Sequence, residues 1–175
     1  QPQIDAPDPS QPGSYPVGTL TYGSGEDQRR PEYGPDADLI TEPVNASRYV
    51  NFDGWNERLR EFIFGFDESN YPLNGQVWYP QGGGPFPLVL IVHGNHNMVD
   101  FSDRGYAYLG ELLASRGFIF VSVDQNFLNG GMYGNASGEN DARAWLLLEH
   151  LAQWEYWHND PSSPFYKQVD LNNVG

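Results

Sequence analysis

The sequence predicts an α/β protein: a mostly parallel sheet flanked by helices. Two observations lead there. Residues 88–92 and 118–123 are continuous apolar runs, too short for a membrane span but suited to strands buried on both faces of a sheet. Segments 103–116 and 140–157 instead carry apolar residues at helical spacing, so strand and helix alternate, as parallel sheets with crossover helices require.

A length of 175 residues suits one domain with a real core. The chain is 39% hydrophobic and 15% aromatic, which excludes a disordered chain. Its net charge of -14 comes from acids spread along the whole length, and argues against nucleic acid or an anionic membrane as partner. The absence of cysteine excludes a disulfide scaffold, a thiolate zinc site and a cysteine nucleophile. No stretch has the length and apolarity of a membrane span. Asn45-Ala46-Ser47 and Asn135-Ala136-Ser137 fit the glycosylation acceptor pattern.

Taken in order, residues 1–16 are rich in Pro, Asp, Gln and Ser and read as an extended arm. Residues 17–22 are β-rich and predict a strand, which Gly23-Ser24-Gly25 breaks. Residues 26–38, with prolines at 31 and 35, read as a loop, and 39–44 as a short strand pairing with the first in a hairpin-like region. Residues 48–74 form an aromatic-rich insertion that covers a core, with a short helix over 55–64 and Asp53 as its N-cap. Residues 75–79 are strand-like, 80–85 a turn, and 88–92 the central strand. In helix 103–116, Tyr106, Leu109 and Leu113 make one stripe, Ser102 or Asp103 caps the start, and Gly117 suits the left-handed position after the end. Strand 118–123 leads to Asp124, then to an Asn- and Gly-rich loop over 125–138. Helix 140–157 turns Leu147, Leu151 and Trp154 to one side and is ended by Pro161 and Pro164; 169–175 leads into a further strand.

The chemistry gathers where 88–92 stops at His93-Gly94-Asn95-His96, because ligands of open α/β sheets bind at the carboxyl edge. Gly94 lets the chain turn sharply, and the Asn95 backbone N–H is placed to stabilise a developing oxyanion. His93 reads as a polar bracket for the loop, and Asp124 as a loop brace or site residue at the end of the next strand. Arg143 would brace Asp124 or Asp141, or lie on the surface. A metal set of His93, His96 and Asp124 is the other reading of these side chains, although His-x-x-His in a turn is not the helical metalloprotease spacing. No GxGxxG or P-loop is present, and Gly82-Gly83-Gly84 precedes a strand and not a helix, so no cofactor is expected.

Gln76-Val77-Trp78-Tyr79-Pro80 followed by residues 84–94, then 112–124, 162–166 and the Val169-Asp170 and Val174-Gly175 pairs, together resemble the α/β-hydrolase superfamily. The likeness is to the branch of dienelactone hydrolases, platelet-activating-factor acetylhydrolases and bacterial cutinase-like polyester hydrolases, and covers about residues 76–175. It implies the N-terminal part of a serine esterase acting on a small or polymeric ester, with the nucleophile in a G-x-S-x-G elbow and the acid and histidine beyond Gly175, in the remainder of its own polypeptide. Only the Asn95 oxyanion N–H carries over, with His93, Gly94, His96 and Asp124 supporting the site; the segment alone is expected to be inactive. Cutinase-like members carry an aromatic residue at the position of Asn95, and the insertion at 48–74 departs from compact members. The likeness and the start at Gln1 lean toward an extracytoplasmic location. The alternative is a non-catalytic domain of the same scaffold that binds carbohydrate or protein through Trp55, Tyr133 or Trp157.

Overall fold

The computed structural model describes residues 8–52, 54–130 and 139–175. Its elements are β1 (Val17–Gly23), β2 (Leu39–Ile40), α1 (Gly54–Phe64), β3 (Asn74–Pro80), β4 (Phe86–Val92), α2 (Ala107–Ser115), β5 (Ile119–Asp124), α3 (Glu139–Asn159) and β6 (Val169–Val174). Short 3-10 turns at Asp103–Tyr106 and Asn126–Leu128 follow β4 and β5. Asp53, Tyr133 and the second glycosylation pattern lie outside the described residues.

The six strands form one sheet in the order β2-β1-β3-β5-β4-β6. The sheet is mixed: β4 pairs parallel with both β5 and β6, while β3 runs antiparallel to β1 and β5. The reversal at β3 has a simple cause. Only residues 81–85 separate β3 from β4, and parallel strands need a crossover of a dozen residues or more. The hairpin expected between the first two strands does not form; β1 and β2 pair parallel, and the antiparallel partner of β1 is β3.

Alternation along the strands splits the core into two layers. Val77, Val121, Val123, Ile119 and Leu88 face one way and pack with Leu146, Trp154 and Trp157 of α3. Trp78 and Phe120 face the other way, against the Tyr106, Leu109 and Leu113 stripe and Ala114 of α2. The predicted stripe on the first helix is therefore its packing face. On α3 the buried face is Ala142, Leu146, His150 and Trp154, with Leu147 and Leu151 at its flank.

Of the two runs expected to be buried on both faces, only β5 is: every residue of β5 is buried, whereas β4 buries only Phe86 and Leu88. The sheet order explains the difference. β5 sits between β3 and β4 under both helix layers, while α2 packs on β3 and β5 and leaves β4 one place from the edge.

Two glycines are dictated by geometry. Gly117, one residue past the Arg116 C-cap of α2, adopts φ +93, where a side chain would be strained. At Gly110 a Cβ would lie 2.4 Å from the Trp78 ring, so its absence lets α2 approach β3 closely. The described part of the arm is docked: Gly13 N–H donates to Ser115 Oγ (2.8 Å), and the Arg116 guanidinium donates to the carbonyls of Asp8 (2.7 Å) and Gln11 (2.9 Å). The aromatic insertion buries Phe52, Phe64, Tyr71 and Leu73 in the α3-side core, as expected of a cover, but leaves Trp55 and Phe62 exposed.

Candidate functional site

The chain leaves β4 toward α2 on one face of the sheet and leaves β5 toward α3 on the other. Neighbouring parallel strands whose connections part to opposite faces open a crevice at their carboxyl ends, the usual ligand position in such sheets. His93, Gly94, Asn95 and Asp124 all lie at these two strand ends.

His93 is buried and bridges the two ends. The Gln125 N–H lies 3.1 Å from its Nε2, and its Nδ1 lies 3.0 Å from the Gly94 carbonyl. His93 thus links the ends of two strands. Asp124 Oδ1 is 3.7 Å from Nε2 and accepts from the Asn126 N–H (2.9 Å).

The partners of Asp124 come from an unexpected place. Arg30, in the turn region after β1, is buried and donates to both carboxylate oxygens of Asp103 (2.7 and 2.8 Å); its Nη1 also lies 3.2 Å from Asp124 Oδ2. Its guanidinium lies over the rings of Tyr33 and Phe101, each ring centroid 4.5 Å away. Tyr33 Oη donates to Asp103 Oδ2 (2.5 Å), and Glu32 Oε1 accepts from Arg30 and from the exposed Arg104. Desolvation would raise the Asp124 carboxyl, but His93, the Arg30 charge and the Asn126 N–H outweigh it and hold it below the usual range. Asp27, close by, is raised by burial.

Asp103 therefore does not cap its helix, and neither does Ser102, whose side chain makes no cap hydrogen bond. Ser102 Oγ lies instead 2.7 Å from His96 Nε2, and the His96 ring centroid is 5.2 Å from that of His93. Ser102 and His96, with Arg29, Glu32, Phe101 and Arg104, line an open cleft of about 890 Å³ beside the crevice. The metal set weighed from the sequence does not converge, since among the described residues no group of three or more His, Asp or Glu side chains is arranged to hold an ion.

Asn95 is tied to the opposite wall: its Oδ1 accepts from the Gly130 N–H (3.0 Å) and its Nδ2 donates to Glu139 Oε2 (3.4 Å). Gly94 differs from expectation. It is not among the positive-φ residues, and a Cβ there would meet nothing within 4 Å, so the bend does not require glycine. Arg143 braces neither Asp124 nor Asp141; it binds Glu139 (2.9 Å), Asn129 Oδ1 (2.7 Å) and Gln125 Oε1 (3.5 Å). From the other side, buried Arg60 of α1 donates to the carbonyls of Phe127 (2.6 Å) and Asn129 (2.7 Å). Residues 125–130 are accordingly buried and clamped between two arginines, where the sequence reads as an Asn- and Gly-rich loop. Trp157, expected to be exposed for binding, is a core residue.

The residues missed from sequence are Asp27, Arg30, Tyr33, Arg60 and Glu139. One local signal was legible: Asp27 Oδ1 accepts from the N–H groups of Arg29 and Arg30, an Asx-type turn that an Asp in a Pro-rich loop favours. A mixed six-stranded sheet with helices on its faces makes the chain an α/β protein. Neither a scan of protein-family models nor a search of curated proteins finds a match to it.

Proposed function

We propose that this chain is the N-terminal portion of a serine ester hydrolase of the α/β-hydrolase type. The observation that carries the reading is the meeting of two neighbouring parallel strand ends, where His93-Gly94-Asn95 follows β4 and Asp124 ends β5. In this reading an ester carbonyl lies over the β4 end. A serine supplied by sequence beyond Gly175 attacks it, with a histidine as base, and the alcohol departs with the proton that histidine took. The Asn95 backbone N–H is one donor to the oxyanion, a contribution that strengthens as the charge develops. His93 and Asp124 link the two strand ends, and Arg60 and Arg143 hold the following loop through Asn129.

The test is a serine-directed fluorophosphonate applied to the complete protein, with the labelled peptide located by mass spectrometry. Labelling of a serine in a G-x-S-x-G turn beyond Gly175, together with turnover of p-nitrophenyl acetate, is the expected result. Residues 1–175 alone should give neither turnover nor a label on Ser102. A complete protein that folds, takes no label and hydrolyses no ester overturns the reading.

A further inference from the structure

Asn95 stands where steric packing of the backbone fixes little. It is exposed, and at Gly94 before it a Cβ would meet nothing within 4 Å. A backbone N–H helps a developing oxyanion most when its direction is set in advance, because a donor that must first turn loses part of its effect in turning. The side chain of Asn95 supplies such a constraint.

Both ends of its amide are held. Oδ1 accepts from the Gly130 N–H (3.0 Å), and Nδ2 donates to Glu139 Oε2 (3.4 Å). Glu139 Oε1 accepts from Arg143 at Nε and at Nη2, both 2.9 Å away. Arg143 Nη2 also donates to Asn129 Oδ1 (2.7 Å), and Asn129 precedes Gly130 in the chain. The contacts close into a circuit that runs from Asn95 through Glu139, Arg143, Asn129 and Gly130 back to Asn95. Glu139 is 7% exposed and Asn129 wholly buried, so these bonds lie where a polar contact is strong and a broken one costly. The helix suits the part: the first turn of α3 favours an acid, and Arg143 follows Glu139 one turn later on the same side. The residue after the β4 turn is thereby tied to the start of α3.

We infer that Glu139 and Arg143 are positioning residues for the proposed reaction, which through the Asn95 side chain set the direction of the Asn95 backbone N–H. This rests on the ester-hydrolase reading and adds the residues that prepare its oxyanion donor. They act through Asn95 and not on the ester itself.

The experiment uses the complete protein. Glu139→Gln keeps an acceptor for Arg143 but turns an amide donor toward Asn95 Nδ2, so two donors meet. With p-nitrophenyl acetate, kcat should fall about tenfold with KM unchanged, less than the loss of about 100-fold or more that follows outright removal of an oxyanion donor. Asn95→Asp sets two carboxylates against each other and should lose as much. The double variant Asn95→Asp/Glu139→Gln pairs one donor with one acceptor again, in the reverse sense, and should recover most of the lost kcat. In parallel, 15N relaxation of the Asn95 amide should show a less ordered N–H in each single variant and an ordered one in the double variant. Single variants with wild-type kcat and an ordered Asn95 N–H overturn the inference. So does a double variant no better than the worse single one, and that comparison decides the matter if a single variant fails to fold. An Asn95 N–H that loosens in the single variants of a protein with no ester turnover in any form sinks the hydrolase reading and leaves the hold of Glu139 on Asn95 standing.

Discussion

Arg30 grips Asp103 with both ends of its guanidinium, at 2.7 and 2.8 Å, and both side chains are almost wholly withdrawn from solvent. The pair joins the turn region after β1 to the residue that opens the helical segment after β4, and through Asp124 it reaches the end of β5. Three loops at the carboxyl edge are thereby held by one cation.

Removing that cation leaves Asp103 and Asp124 as buried charges without their partner. Arg30→Met is expected to lower the unfolding free energy by about 3–5 kcal/mol, the usual cost of breaking a buried pair from one side. Urea unfolding followed by circular dichroism checks this; a loss below about 1 kcal/mol would mean that water reaches and solvates the two carboxylates.

Acid should destabilise the protein through His150. This residue is buried against Tyr22, with Tyr22 Oη 2.6 Å from its Nδ1, and burial lowers the imidazole pKa to about 3. Between the ordinary value near 6.5 and that value, the unfolded chain binds a proton that the folded chain does not, so stability is full above about pH 6.5 and declines as pH falls. At roughly 1.4 kcal/mol per unit the loss by pH 3 is on the order of 4 kcal/mol. Asp124, whose folded carboxyl is held low, adds a loss of the same sign below about pH 3.9; Asp27, raised by burial, opposes it. The Tyr22→Phe/His150→Phe variant, which removes both partners, should flatten the stability profile between pH 6.5 and 4; an unchanged slope in urea titrations would rule His150 out as the sensor.

Gly110→Ala sets helix propensity against packing. Alanine favours the helix by about 1 kcal/mol, but its methyl would sit 2.4 Å from the Trp78 ring. Overpacking of this kind costs about 1–3 kcal/mol, so the net change is a lower melting temperature and a moved Trp78 fluorescence signal. A rise in melting temperature would show that α2 slides away from β3 without penalty.

Gly94→Ala separates fold from chemistry. With no positive φ and open space around it, the substitution should change stability by less than about 0.5 kcal/mol. On the proposed hydrolase reading the added methyl stands where an ester would approach, and ester turnover by the complete protein should fall about 10- to 100-fold. Loss of stability without loss of turnover would reverse both parts.

Most regular elements were legible because their signal is local. The 3.6-residue stripe of Tyr106, Leu109 and Leu113, the apolar run of 119–123 and the glycine at 117 each announce themselves within a dozen residues. The α/β class and the carboxyl edge at His93-Gly94-Asn95 follow from the same alternation. The direction of β3, the partial exposure of β4, and the partners of Asp103, Asp124 and Arg143 were not legible. These depend on sheet order and on which loops meet at one edge. Arg30 and Asp103 are 73 residues apart, and nothing near either of them marks the other. A buried charge is tolerated only where an opposite charge is delivered to it, and only the tertiary structure decides which distant segment makes that delivery.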